Sequence, residues 1–161
     1  MAAPRVDAFL LQLDELWDHD WESLASILRG VSHDEAGWAA PCYADAADSE
    51  PSPPQAGSIW WHLHHIAICK RVYTAQIAAQ PEPDALLAAP SFEEEHARLQ
   101  TIHDAQRQAI AALSDEDLDR EVPGSGSLAS FLATTLRHDI WHAGQIALVR
   151  RLYRAASDKT S

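Results

Sequence analysis

The sequence predicts an all-α protein in which one domain, residues 1–161, forms a four-helix bundle. Apolar residues recur at spacings of three and four in four long segments, which is the period of an amphipathic helix. Serines suited to cap a helix precede three of these segments, and there is no alternating β-branched run or Asn-Gly turn. Helices with one apolar stripe each bury those stripes best against one another.

The first helix is predicted over residues 6–29, where the apolar stripe includes Phe9, Leu13 and Trp17, and Gly30 is a suitable stop. Residues 31–56 are rich in Pro, Asp and Ser and are predicted to form a long loop without helix. Loops of this length tend to be functional lids or partly disordered. One interpretation is that side chains of the loop and tryptophans of the helices line a pocket mouth: Trp38, Pro41, Tyr43, Trp60, Trp61 and Trp141. The alternative is that the tryptophans simply fill the end of the bundle.

Helix two is predicted over residues 59–80, with Ser58 as its cap and the sequence "PEPD" as its end. Helix three is predicted over residues 91–113. Ser91 followed by Glu94 forms a capping-box pattern at its start, because each side chain can bond the backbone of the other.

Helix four is predicted to begin after Ser127 and to fray in a polar tail over residues 155–161. The preceding "VPGSGS" is predicted to be only a loop between helices.

Charge and composition restrict the protein's partners. Twelve Lys and Arg stand against 24 Asp and Glu, a formal net charge of -12, which disfavours nucleic acid and anionic membranes. No segment has the ~20 apolar residues that span a bilayer, and the N-terminus lacks the apolar block of a signal peptide, so we expect a cytoplasmic protein. Two cysteines, Cys42 and Cys69, are too few for a disulfide framework.

Helix four carries two histidines, His138 and His142, four residues apart on its apolar stripe. On helix two, the row Trp61, His65, Ile68 and Val72 is predicted to lie at the centre of the apolar face. His62 and Cys69 are expected on the shoulder of that face, and His64 and Arg71 toward solvent.

Three imidazoles in one core need a common partner, because neutral rings leave lone pairs without donors and charged rings repel one another. A divalent metal bound by His65, His138 and His142 supplies that partner, with ligand distances of about 2.0 to 2.1 Å. Zinc, nickel and iron(II) all suit imidazole, and three protein ligands leave an open position, as in catalytic sites. The alternative is a set of ordinary core histidines without metal.

Further residues are candidates for the surroundings of the metal. Cys69 is a possible fourth ligand, although buried cysteine is more often a small apolar residue. His62 is an alternative ligand, and Gln145 is placed to orient a water or a substrate. Asp139 is expected to point toward the bundle edge. His96 and His103 are interpreted as surface residues.

The segments "SIWWHLHHIA" and "LRHDIWHAGQIALVRRL" resemble the DinB/YfiT-like family of bacterial metal-binding four-helix bundles. The family signature is a helix-two histidine before "IA" and an HxxxH before "GQI", which selects His65, His138 and His142 as ligands. The resemblance implies an up-down-down-up bundle, a mononuclear site filled by zinc or nickel, and a homodimer. It also implies, for some members, reactions that use a low-molecular-weight thiol as co-substrate.

The sequence therefore leaves several functions open. The first is a metal-dependent transferase that joins a low-molecular-weight thiol to an electrophilic small-molecule substrate. The second is a metal-dependent hydrolase, for which no general base stands out. The third is a metal-binding, stress-associated homodimer without turnover.

Overall fold

The computed structural model describes residues 4–40 and 54–158, and the chain is predominantly helical. Within these ranges it forms six α-helices: α1 (Arg5–Trp17), α2 (Leu24–Leu28), α3 (His33–Gly37), α4 (Ile59–Ile77), α5 (Phe92–Ala111) and α6 (Leu128–Ser157). A 3₁₀ turn and a two-stranded antiparallel hairpin connect α5 to α6: Asp117–Asp119, β1 (Glu121–Val122) and β2 (Gly126–Ser127). Within the described residues, none of the helices combines the length and the hydropathy of a membrane span.

The predicted serine caps are confirmed. The hydroxyl oxygens of Ser58, Ser91 and Ser127 accept hydrogen bonds from backbone N–H groups three residues ahead, at 3.1, 3.2 and 3.2 Å. Each bond satisfies one N–H group that has no partner within the helix, which fixes the start of the long helices α4, α5 and α6. The ends of α4 and α5 lie within three residues of the predicted ends, whereas α6 extends to Ser157, into the segment predicted as a polar tail.

The prediction of one helix over residues 6–29 is wrong. The chain leaves helical geometry after Trp17, and Glu22 has a φ of 60°, in the left-handed region that few side chains adopt. Ser23 then caps the separate helix α2 by accepting from the N–H of Ser26.

Two loop predictions also need correction. The predicted loop 31–56 contains helix α3, which Ser32 caps and which is held to α6 by an ion pair between Glu35 and Arg150 at 3.0 Å. Pro41 and Tyr43, predicted at the pocket mouth, lie outside the described residues. The segment "VPGSGS" forms a hairpin, in which Gly124 and Gly126 take φ of 76° and 78°.

The four long helices enclose the core. Helix α4 packs against α5 and α6, and α1 packs against the same two helices. The buried apolar residues form two clusters, one toward each end of α6. Phe131 and Leu132 belong to the first cluster, and Ile146 and Val149 belong to the second.

Polar residues separate the two apolar clusters at the middle of the helices. We call Lys70, His103, Gln106 and Asp139 the polar layer. Lys70 is completely buried, and its ammonium group donates to the side-chain oxygens of Gln106 at 2.7 Å and Asp139 at 2.6 Å. A buried charge is tolerated only with such partners, so the polar layer fixes the register of α4, α5 and α6.

Candidate metal centre

Helices α4 and α6 bring His65, Cys69 and His138 together near the middle of the molecule. The Nε2 atoms of His65 and His138 lie 3.3 Å apart, and the sulfur of Cys69 lies 3.6 Å from Nε2 of His65. One donor atom from each residue lies within 4.8 Å of the other two. Cys69 follows His65 by four residues, so one helical turn stacks both side chains on the same side of α4.

These separations match the chemistry of a small divalent ion. Tetrahedral zinc with Zn–N of about 2.05 Å and Zn–S of about 2.3 Å separates two nitrogens by about 3.4 Å, and a nitrogen from a sulfur by about 3.6 Å. The two Nε2 atoms of His65 and His138 have nearly the first of these separations. The sulfur of Cys69 and Nε2 of His65 have nearly the second. The donor set of imidazole and thiolate suits zinc and other borderline-soft ions.

His142 lies beside this group. Its ring centroid is 4.5 Å from that of His138 and 4.8 Å from that of His65. Its Nδ1 faces Nδ1 of His62 at 3.0 Å, and both rings are almost completely buried. The three predicted ligands are therefore neighbours, with His62 on the inner side and Cys69 on the outer side.

The structure changes the predicted orientation of α4. Trp61 and His65 lie half-buried at the edge of the core, whereas Leu63 and Ile66 are fully buried and mark its centre. The interpretation of His64 as solvent-facing is wrong, because its ring is 8% exposed and lies 3.5 Å from the buried carboxylate of Glu95. The apolar residues alone predict the wrong core face for α4, because two polar residues, His64 and Lys70, also occupy buried positions.

The charges of the cluster follow from its burial and contacts. Burial raises the pKa of Cys69, but hydrogen bonds with His138 and His65 outweigh it and lower that pKa to about 6. Burial lowers the pKa of His138, yet Asp139 and Cys69 raise it to about 9. Burial, followed by repulsion from neighbouring histidines, lowers the pKa of His62 to about 4 and that of His142 to about 3.

These pKa values set the protonation states near neutral pH. Cys69 is a thiolate, and His138 is an imidazolium paired with Cys69 and Asp139. His62 and His142 are neutral rings joined to each other by an Nδ1–Nδ1 hydrogen bond. Thiolate and neutral imidazole are the forms in which these side chains bind metals, so His138 has to release a proton when it binds.

Asp139 connects the cluster to the polar layer. Its Oδ2 accepts from Lys70, and its Oδ1 lies 3.7 Å from Nδ1 of His138. The expectation that Asp139 points away toward the bundle edge is therefore wrong. The sequence analysis did not identify Lys70 or Gln106 as functional residues. Lys70 bonds Gln106, 36 positions further along the chain, and Asp139, 69 positions further along, and no local sequence pattern joins residues so far apart.

The remaining candidates lie at different depths. Trp61 stacks on the His65 ring at 5.3 Å and 13°, whereas Trp141 is 68% exposed and points outward. Gln145 is half-buried, one turn beyond Trp141 on α6. The interpretation of His103 as a surface residue is wrong, since it is 2% exposed and stacks on Trp17 at 3.8 Å. His96 is half-buried.

Trp60 and Trp38 contribute to the same apolar cluster. Trp60 is buried in the apolar cluster, and Trp38 packs edge-on against Tyr153.

A cavity of about 840 Å³ lies between α1, the segment joining α1 to α2, and α6. Trp17, His103 and Asp139 form part of its wall, whereas His65, Cys69 and His138 do not. The cavity therefore reaches the polar layer at His103 and Asp139 without including the three clustered side chains.

Comparison with known proteins identifies one family. The family model described as the DinB superfamily matches residues 16–146, most of the chain and all of α4, α5 and the histidine-bearing half of α6. No curated protein and no solved structure matches the sequence.

Proposed function

Because the chain belongs to the DinB superfamily, we propose that it binds one divalent metal ion and uses it in a reaction with a low-molecular-weight thiol. The observation that carries the proposal is the convergence of His65, Cys69 and His138, whose donor atoms lie within 4.8 Å of one another. His142, which lies beside this group, is the alternative to Cys69 as the third protein ligand, so that one coordination position stays open for the thiol, and zinc and nickel are the preferred ions. The four long helices form an up-down-down-up bundle around the site.

The metal supplies Lewis acidity, which favours the thiolate form of a bound thiol near neutral pH. His65 and His138, together with either His142 or Cys69, would hold the ion at the α4–α6 interface. His65 and Cys69 are only half-buried, so a small molecule can approach from this side. Trp61, stacked on His65, covers one flank and offers an apolar surface to the substrate.

The reaction class that suits this site is thiol transfer to an electrophilic carbon. The thiol sulfur forms a C–S bond, and a halide leaves with the bonding electron pair or an epoxide C–O bond opens. In the halide case the thiol proton is released to solvent, and in the epoxide case it ends on the new alcohol. Water exclusion by Trp61 favours the thiol over hydrolysis of the electrophile.

A thiol panel tests this proposal. Zinc- and nickel-loaded protein is mixed with glutathione, cysteine or coenzyme A and with an aryl halide or an epoxide, and the thioether product is measured. We expect one thiol to give product at a rate well above that of metal-free protein and of His65→Ala. Equal rates for loaded protein, metal-free protein and His65→Ala with every thiol would contradict a thiol transferase.

A second function is favoured by the position of Cys69. Four protein ligands, one of them a thiolate, are typical of closed structural zinc sites, whereas catalytic sites keep an open position. If Cys69 and His142 both bind the ion, the protein is a metal-stabilised, stress-associated homodimer without turnover. The same thiol panel separates the two functions, because this one requires full metal occupancy with no product.

The homodimer is proposed from the outward face of α6. Trp141 is 68% and Leu148 54% exposed, and one helical face presents both. We expect Trp141→Glu combined with Leu148→Glu to halve the mass measured by light scattering. Leu11→Glu, at another exposed leucine, is the control and leaves the mass unchanged. A monomeric parent protein would contradict the homodimer.

A further inference from the structure

The buried ion pair between Lys70 and Asp139 lies directly behind a proposed metal ligand. Asp139 uses Oδ2 to accept from Lys70 at 2.6 Å, which leaves Oδ1 facing Nδ1 of His138 at 3.7 Å. Both Oδ1 of Asp139 and Nδ1 of His138 are buried, and within the described residues neither has a conventional hydrogen bond. At 3.7 Å the ring nitrogen and the carboxylate oxygen form a charge-complementary pair.

The opposite edge of the His138 ring faces the cluster. Nε2 of His138 lies 3.3 Å from Nε2 of His65, so it is the nitrogen available to a metal. A histidine that binds a metal through Nε2 carries its proton on Nδ1, and a carboxylate behind the ring stabilises that tautomer. Asp139 occupies the place of this carboxylate.

Lys70 determines where Asp139 can lie. Its ammonium group is fully buried and held from a third helix by Gln106, so it has no freedom to follow a displaced carboxylate. The aromatic face of Trp17, 5.7 Å from the Lys70 nitrogen, completes the surroundings of the charge. Three helices thus fix the position of one carboxylate.

We propose that Asp139 is a positioning residue, held by Lys70 and Gln106, that fixes the His138 ring with Nδ1 protonated and Nε2 directed at the metal. The inference rests on the proposed metal site and gives the buried Lys70 a second role beside fixing the register of the helices. Replacing such a carboxylate behind a ligand commonly weakens metal affinity about 10- to 100-fold.

The test uses full-length protein loaded with zinc. Zinc affinity is measured by competition with a chromophoric chelator, and the ¹⁵N shifts and proton exchange of His138 are measured by NMR. The variants are Asp139→Asn and the double change Lys70→Met with Asp139→Leu, which replaces the buried pair with apolar side chains and is expected to preserve the fold. Asp84→Asn, an exposed carboxylate in the α4–α5 connection, is the control.

We expect His138 of the parent protein to bind through Nε2 with a slowly exchanging Nδ1 proton. In Asp139→Asn and in the double variant, the affinity falls at least 10-fold and this proton exchanges faster, while Asp84→Asn resembles the parent. Parent-like affinity and proton exchange in a folded double variant would overturn the inference, even if Asp139→Asn lowered the melting temperature. A parent protein that binds no zinc would instead refute the proposed metal site itself.

Discussion

The Nε2 atoms of His65 on α4 and His138 on α6 lie 3.3 Å apart, although 73 positions separate the two residues in the sequence. Two unprotonated imidazole nitrogens are both acceptors, so a proton or a cation has to lie between them at this distance. The sulfur of Cys69, 3.6 Å from the same His65 nitrogen, adds a third donor. A shared divalent ion satisfies all three side chains at once.

Cys69 is expected to bind the metal. Cobalt(II) added to the metal-free protein should give the near-ultraviolet absorption of a thiolate–cobalt bond, and Cys69→Ser should abolish it because a hydroxyl is a much poorer ligand. Cys42→Ser is the matched control and should keep the absorption. An unchanged spectrum in Cys69→Ser would exclude the thiolate from the ligand set.

Metal removal is expected to destabilise the fold. A ligand present at 100 times its Kd stabilises a native protein by about 2.7 kcal/mol, which for a chain of this size raises Tm by about 5 °C or more. Thermal unfolding followed by circular dichroism, with zinc and then with an excess of chelator, measures the shift. An identical Tm in both conditions would indicate that the histidines are ordinary core residues.

Loss of one member of the buried ion pair is expected to be costly. Lys70→Met leaves the Asp139 carboxylate without its cation in the core, and breaking a buried pair in this way costs about 3–5 kcal/mol. Arg107→Met breaks the exposed pair with Asp14 and should have a far smaller effect, since solvent screens that pair. Urea unfolding of both variants gives the comparison, and equal losses would contradict the account of the polar layer.

Glu95 is expected to make stability depend on acid pH. Its side chain is fully buried, and although burial raises its pKa, hydrogen bonds from His64, the Ala89 N–H and Arg98 hold that pKa below the ordinary 4.5. A carboxyl group with a lowered pKa stabilises the fold fully above its unfolded value. The contribution is lost as the pH falls through the folded value.

Glu95→Gln should therefore destabilise the protein by about 1.5–3 kcal/mol at pH 7, with a difference that shrinks as the pH is lowered below 4.5. Urea unfolding at several pH values measures the free energy of unfolding of both proteins. The exposed Glu116→Gln is the control. A difference that stays constant from pH 7 to pH 3 would exclude Glu95 as the source.

The local signals in the sequence predict the helices well. Ser58, Ser91 and Ser127 start their helices as expected, because capping depends on residues three positions apart. The break after Trp17 carries a serine cap of the same kind at Ser23, but the apolar spacing continues across it and favours one helix. The break depends on a left-handed Glu22 and on the new cap at Ser23, neither of which interrupts the apolar spacing.

The candidate site is predictable only in part. His65, His138 and His142 follow from spacing and from the family resemblance, since each pair or motif lies within one helix. The burial of His64, Lys70 and His103 does not, because each is stabilised by a residue of another helix. A helical wheel treats such polar residues as solvent-facing, which displaces the predicted centre of the α4 core face.

Elemental analysis of the purified protein tests the metal site most directly. The protein is prepared without chelators and without a histidine tag, beside the double variant His138→Ala with His142→Ala and the control His96→Ala. The account predicts about one zinc, nickel or iron ion per chain in the parent protein and in His96→Ala, and none in the double variant. Absence of metal from the parent protein, even after incubation with divalent ions, would contradict the account.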